Sequence, residues 1–394
     1  MGADCELFYH ARIMMVLCGI WRLELHNSTN FFKAAYPFYS VVIQIMYSLT
    51  PLLLGANLPN LFRTDLTAAL ETVSKFLFSG LLVIKASMCQ SKKIVNVISI
   101  ALKKEAETYI NDECQIRKIY HSHVTFCNSL TKFSYACAVG GVVLHWEFGI
   151  ADSYAFYRSQ RDSNQTVDKP LPLHFWYPFD KNKFHIWVLL DQLWQIVLTV
   201  WYTTAFQIFS NSLLIFLRAQ LKIFQQYFKS FHKNLNRLGQ SGESNSAFKN
   251  LRLLCSGHQE FIKYINDFNN SVKNILLVEY CFSSLMFAGA VFQVMAGVNV
   301  PFNCMFVFVL FSQLILLAWN CNEIVIQSGK LSSALYKSEW YDQDIKTKVL
   351  VYIMVMRCQK PLSLTIGSFG PMTTDAVISR MKLTYSYTTV MRAD

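Results

Sequence analysis

Tyr280 to Asn322 reads YCFSSLMFAGAVFQVMAGVNVPFNCMFVFVLFSQLILLAWNCN, 43 consecutive residues without Asp, Glu, Lys or Arg. A helix needs about 20 apolar residues to cross the hydrocarbon of a bilayer. The stretch is therefore long enough for two crossings, and Gly297, Asn299 and Pro301 supply the turn between them. Two similar windows lie upstream: 29 residues between Lys33 and Arg63, centred on Tyr39 to Leu54, and 26 from Gln192 to Leu217. Two weaker spans complete a set of six. Thr125 to Gly149 is interrupted only by Lys132 until Glu147, and Thr72 to Cys89 carries Lys75 and Lys85 near its ends. Those two lysines are expected to snorkel to the headgroups.

The composition agrees. Of 394 residues 53% are hydrophobic and 15% charged, where soluble domains average roughly 25% charged. The aromatic content excludes disorder and collagen, and the length excludes a small disulfide-stapled module. The formal charge of +11 is unevenly placed. Segments 1–36, 91–125, 211–273 and 328–371 hold 24 Lys and Arg against 13 Asp and Glu, while loops 57–70, 151–183 and 298–301 hold 6 basic residues. The positive-inside rule puts the first set, and with it the amino terminus, in the cytoplasm. The basic excess then faces anionic lipid, and no nucleic acid is needed to explain it.

Targeting and metal signals are sparse. Ile13 to Trp21 resembles a signal-peptide core, but Asp4 and Glu6 precede it and no small-residue cleavage site follows. It reads better as an amphipathic cytoplasmic helix leading into the first span. The 11 cysteines avoid loop 151–183 and form no CxxC pair, and His121 and His123 sit two apart, wrong for one helical face. No metal or other cofactor is expected. Of the sequons at Asn27, Asn164 and Asn269, only Asn164 faces outward in this topology, as a glycosylation site.

Amphipathic stretches continue on the cytoplasmic side. Leu221, Phe224, Phe228, Phe231, Leu235 and Leu238 recur at spacings of three and four, as do Phe261, Ile265, Phe268, Val272 and Ile275. Between them 239–246 (GQSGESNS) is a polar linker. A third piece places Ile345, Val349, Tyr352, Ile353 and Met356 on one face. Each seam could close within one chain; heptad spacing on several helices favours packing between subunits. The last segment mixes Asp375, Arg380, Lys382 and many hydroxyls with Val377, Ile378, Leu383 and Val390. It reads as a soluble amphipathic tail or as a seventh crossing beside an aqueous path.

The run MRCQKPLSLTIGSFGPMTTDAVISRMKLTYSYTTVMR, Met356 to Arg392, is similar to the carboxy-terminal signature of insect odorant receptors. Asn320-Cys-Asn-Glu323 and Ser338-Glu-Trp-Tyr341 fit the same family. The resemblance implies an all-α membrane protein of seven transmembrane helices, with cytoplasmic amino terminus and extracellular carboxy terminus. Helices four to seven would extend into a cytoplasmic anchor domain. The divisions expected are 1–36 cytoplasmic, 37–217 with helices one to four and the outer loop 151–183, and 218–273 cytoplasmic. After these come 274–327 with helices five and six, 328–370 as anchor segment, and 371–394 as pore-lining helix seven.

By the same resemblance the chain is a variable, ligand-tuning subunit of an odorant-gated cation channel. It would form a heteromeric tetramer with a co-receptor in the plasma membrane of a sensory dendrite. Phe224, Phe228, Phe231, Ile345, Val349, Tyr352 and Ile353 would hold subunits together. Val390 would be the gate, with Tyr387, Ser386, Leu383 and Arg380 along the pore; a lipid-facing role for Val390 is the plainer alternative. Four copies each of Arg380 and Lys382 near one axis would repel one another and exclude cations. A volatile hydrophobic ligand would sit among Val73, Phe76, Leu77, Ala138, Gly141, His145, Trp194, Phe302 and Phe306. Of these, His145 is suited to hydrogen-bond an ester, ketone or alcohol oxygen, and each position could instead be bundle packing.

Other classes fit less well. A G-protein-coupled receptor has its amino terminus outside and carries motifs missing here. A transporter would show related halves. An enzyme would need a constellation such as HExxH or GxSxG, and Asp191, Glu279 and Glu323 do not pair at helical spacing.

Overall fold

The computed structural model describes residues 6–21, 23, 30–110, 114–159, 169, 171–232, 243–297 and 300–393. Side chains are described for all of these except 30–32, 67, 109–110, 148–149, 152–153, 155–159, 243–246, 384–385 and 387–393. The regular elements are helices: α1 (Tyr9–Leu17), α2 (Asn30–Thr64), α3 (Leu66–Cys89), α4 (Lys92–Ile110) and α5 (Cys114–Ser159). They continue with α6 (His185–Lys229), α7 (Glu243–Met295), α8 (Val300–Tyr336), α9 (Ile345–Cys358) and α10 (Thr374–Ala393). Asn164 lies outside the described residues.

Among the described residues five helices (α2, α3, α6, α7 and α8) are long and apolar enough to cross a membrane. The turn expected inside the 43-residue apolar run is present: α7 ends at Met295, Gly297 adopts φ +75°, and α8 begins at Val300. Only glycine enters that left-handed region without strain. Prolines 37, 51 and 59 lie inside α2, and such breaks are tolerated where neighbours re-satisfy the freed backbone. Nearby, Thr50 donates to Gln195 Oε1 at 2.7 Å and the Asn57 amide donates to His174 O at 2.9 Å, both bridging to other segments.

At 1.5 Å per residue, the 45 residues of α6 and the 53 of α7 extend far beyond a hydrocarbon core of about 30 Å. α6 is the central post. Of its most apolar stretch 78% is buried within the chain, against 22% for α2 and α8. α2 instead turns Phe38, Val41, Ile45 and Leu52 outward, a surface suited to lipid and too apolar for water.

At one end α1 docks on α6, burying Leu7, Phe8, Ala11 and Met15. Glu105 of α4 joins this corner, accepting from Leu7 N at 2.7 Å and Tyr120 Oη at 2.5 Å. Gly19 (φ +69°) follows α1 and packs against α2, where a Cβ would meet Ser40 Cα at 2.9 Å. Tyr202 of α6 stacks on Tyr47 at 4.2 Å and donates to Cys18 O at 2.9 Å.

The seam expected between subunits is closed inside the chain. Phe228 and Phe231 are fully buried, and Phe224 lies 5.4 Å from Phe261 and 5.9 Å from His258 of α7. Moving back along α6, Phe216 meets Tyr264, so partner numbers rise as α6 numbers fall and the two stripes face each other antiparallel. Two matching stripes on sequential antiparallel helices thus bury one another within the chain, the intrachain closure that the spacing of Phe224, Phe228 and Phe231 left open. Leu235 and Leu238 lie outside the described residues. The α9 face is different. Ile345, Val349, Tyr352 and Ile353 are each more than half exposed.

Between α9 and α10 the chain is tied down rather than free. Leu362 N–H donates to Ser328 Oγ at 2.9 Å, Thr365 N–H to Asn269 Oδ1 at 2.9 Å, and Gly367 N–H to Lys273 O at 3.0 Å. The Asn269 sequon is thus part of this packing.

Candidate ligand cavity

A cavity of about 170 Å³ opens inside the helical bundle, walled by α2, α3, α5, α6, α7 and α8. The described part of the loop before α6 packs beside it. Gln192 accepts from Leu173 N–H and donates to Leu173 O, both at 2.9 Å, and Trp176 N–H donates to Leu53 O at 3.1 Å. Leu173 itself contributes to the wall.

Most of the lining is apolar, with Phe78, Phe133, Ile196, Val200, Met305, Phe306 and Val309 among it. Phe302 stacks on Phe306 at 6.1 Å, and Phe78 meets Phe306 edge-on at 5.6 Å. One end is polar. Lys75 and Glu71 pair at 2.6 Å, the Lys75 ammonium also donates to Pro172 O at 3.2 Å, and His145 stands edge-on to Phe302 at 4.4 Å. The His145 Nε2 atom is buried without a hydrogen-bond partner. Such a site can hold a small, mostly apolar molecule and orient it through a few polar groups.

Of the residues expected at a ligand site, Ala138, Gly141, His145, Phe302 and Phe306 border this cavity. Val73, Phe76, Leu77 and Trp194 do not. Phe76 packs with Leu54, Phe175 and Ile196, Leu77 with Leu81 and Met286, and Trp194 is 44% exposed on the outer surface of α6. On α3 the cavity is met instead by Glu71, Ser74, Lys75, Phe78 and Ser79, a stripe turned from the apolar one by about one residue, or roughly 100°. Lys75 does not reach out to a headgroup; it is 15% exposed and turned inward. A Glu and a Lys four apart inside a spanning segment was the available signal.

Three other acids of the long apolar helices also find partners from outside their own helix. Glu279 of α7 pairs with Lys85 of α3 at 2.6 Å, and Glu323 of α8 lies 3.4 Å from Arg218 of α6. Tyr177 donates to Asp191 at 2.8 Å. Asn320 donates to Asn211 of α6 at 3.2 Å, so the Asn320–Glu323 element joins α8 to α6. Among the described residues no cluster of His, Cys, Asp or Glu could hold a metal ion.

On α10, Arg380 is directed at α7. Its Nε donates to Ser284 Oγ at 2.7 Å and its guanidinium lies 4.2 Å from the centre of the Tyr280 ring. A half-buried cation is well placed on a ring face and a hydroxyl. Leu383 and Ser386 are exposed. The side chains of Val390 and Tyr387 lie outside the described residues.

Comparison with known proteins agrees with this architecture. The profile of the family described as 7tm odorant receptor matches residues 65–385. Odorant receptor 10 of Aedes albopictus is 27% identical over 190 residues, covering 48% of this chain and 50% of that protein. Odorant receptor Or2 of Anopheles gambiae is 23% identical over 182 residues, covering 45% and 48%. The match spans about half the length of these relatives. Over 97% of this chain and 96% of the other, the fold is similar to that of the insect olfactory receptor OR5 from Machilis hrabei, with TM-score 0.76 and 14% identity. A second structure of that receptor, in complex with eugenol, matches with the same TM-score over the full length of both chains.

Proposed function

Since this chain belongs to the insect 7tm odorant receptor family, we propose that it is a variable, ligand-tuning subunit of an odorant-gated cation channel. It binds a small volatile molecule in the cavity between α3, α5, α6 and α8, and works in a heteromeric tetramer with a co-receptor. The observation that carries the reading is the largely apolar cavity with a polar end, which resembles a ligand site more than a packing defect. An enzyme is not the reading the family supports.

The topology proposed has seven crossings, by α2, α3, α5, α6, α7, α8 and α10, with the amino terminus in the cytoplasm and the carboxy terminus outside. Its divisions are 1–36, 37–217, 218–273, 274–327, 328–370 and 371–394. The charge asymmetry supports it. α5 and α10 are the polar crossings, acceptable where their polar residues face protein or water. The exposed face of α10, with Asp375, Ser379, Lys382 and Ser386, supports an aqueous path beside that helix, and Val390 is the proposed gate. The bare face of α9 supports contact with neighbouring subunits. The protein belongs in the plasma membrane of a sensory dendrite, and Asn164 is its outward glycosylation site.

A ligand that fits the open arrangement better than the closed one shifts the population toward opening. The test is whole-cell recording under a panel of volatiles, with this chain expressed alone and with a co-receptor, G-protein signalling blocked. Fast cation current in the paired cells only is expected. Current with the chain alone would overturn the heteromer, and silence in paired cells with surface expression shown would overturn the channel.

A further inference from the structure

The polar end of the cavity has a composition that bears on what can bind there. Glu71 and Lys75 are 14% and 15% exposed and pair at 2.6 Å, so together they carry no net charge. The Lys75 ammonium stands 5.8 Å from the centre of the Phe302 ring, and His145 stands 4.4 Å from that same ring. Glu71, Lys75 and His145 therefore gather around Phe302, in a cavity that Thr203, Gln207, Gln293 and Gln313 also line.

An ammonium has three N–H donors. Two are engaged, by Glu71 Oε1 and Pro172 O, which leaves the third. His145 Nε2 is buried with no partner, and with its proton on that nitrogen it is a second donor. A buried donor without an acceptor is a standing cost that an arriving oxygen would remove. A carboxylate would have to compete with Glu71 for Lys75, and an ammonium would have to compete with Lys75 for Glu71. Either would give up its hydration and leave one charge of the pair uncompensated. A neutral carbonyl oxygen does neither.

We infer that this cavity selects small neutral molecules bearing a carbonyl oxygen, held by Lys75 and His145 with their apolar remainder toward Phe78, Phe306 and Val309, and that the Glu71–Lys75 pair is the element that rejects acids and amines. The inference rests on reading the cavity as the odorant site.

The test measures binding directly, so that it stands apart from any result on currents. The full chain in lipid nanodiscs is titrated with four probes of one carbon skeleton: a methyl ketone, the alkane, the carboxylate and the primary amine. Affinity is read from tryptophan fluorescence and from the shift in thermal unfolding. The ketone is expected to bind about tenfold more tightly than the alkane, a difference of about 1.4 kcal/mol, with both charged probes weaker than the ketone. Glu71→Gln should raise carboxylate affinity at least several-fold, and Lys75→Gln should do so for the amine. His145→Phe keeps the ring contact; it should shrink the ketone preference several-fold while both charged probes stay excluded, and it serves if either α3 variant fails to fold. Equal binding of ketone and alkane, an unchanged ketone preference in His145→Phe, an unchanged carboxylate affinity in a folded Glu71→Gln, or no binding of any probe would overturn the inference. Odour-evoked current without a carbonyl preference would overturn it while leaving the receptor intact.

Discussion

Two apolar stripes, one on α6 and one on α9, look alike in sequence and end differently in space. The α6 stripe, ending in Phe224, Phe228 and Phe231, is closed by α7. The α9 stripe, Ile345, Val349, Tyr352 and Ile353, stays open. α6 is followed by a helix with its own matching stripe, running back beside it, so intrachain closure needs no partner. α9 is short, at 14 residues, and its other face (Thr347, Val351, Met354 and Cys358) already packs on the chain. The difference teaches that a heptad stripe marks a surface to be covered and says nothing about which chain covers it.

The sharpest way to break this comparison is to truncate the closed stripe. Phe228→Ala should destabilise the chain by about 3–5 kcal/mol, read as a large fall in the detergent unfolding temperature and in surface expression. A near-silent Phe228→Ala would mean that the seam is not closed within the chain.

The same stripe carries a pH signature. His258 lies on α7 ahead of the charge-free run that starts at Tyr280, 5.9 Å from the rings of both Phe224 and Phe228. Burial, with a smaller contribution from the Arg357 charge, lowers its pKa from 6.5 to about 4. Because the folded value lies below the unfolded one, its contribution is fully present above about pH 6.5 and is lost as pH falls toward 4. Between pH 7 and pH 5 the loss should be on the order of 2 kcal/mol. In His258→Gln the unfolding temperature should change less between pH 7 and pH 5 than in the parent; identical slopes would count against a neutral buried imidazole.

α10 repeats the contrast on one helix. Val377 and Arg380 are held by the chain, while Ile378, Lys382 and Leu383 are open. Arg380→Gln should cost about 1–2 kcal/mol of stability through the lost ring and hydroxyl contacts, with the reversal potential of the assembled channel unchanged. A shifted reversal potential would place Arg380 on the ion path after all.

The smallest effect on folding is expected at the open stripe. Val349→Asp with Ile353→Asp should leave the unfolding temperature of the isolated chain within about 0.5 kcal/mol of the parent. Co-purification with a co-receptor should be lost. Retained assembly would remove α9 from the subunit contact.

What could be read directly was what adds up along the chain. Hydropathy over 280–322 marked two long helices and Gly297 as their turn, charge counts suggested a sidedness, and the carboxy-terminal run pointed to the family. These are local or summed properties, and folding does not rearrange them. What only the tertiary structure decided was rotation and partnership: that Glu71 and Lys75, not Val73 and Leu77, meet the cavity, that Lys85 finds Glu279, and that Arg380 finds Tyr280. The reason is physical. In water, apolarity tells a helix which face is inside, but lipid is as apolar as leucine. An apolar stripe on a membrane helix therefore does not choose between lipid and protein, and the few polar side chains, several of them satisfied by neighbours from distant sequence, turn each helix into place.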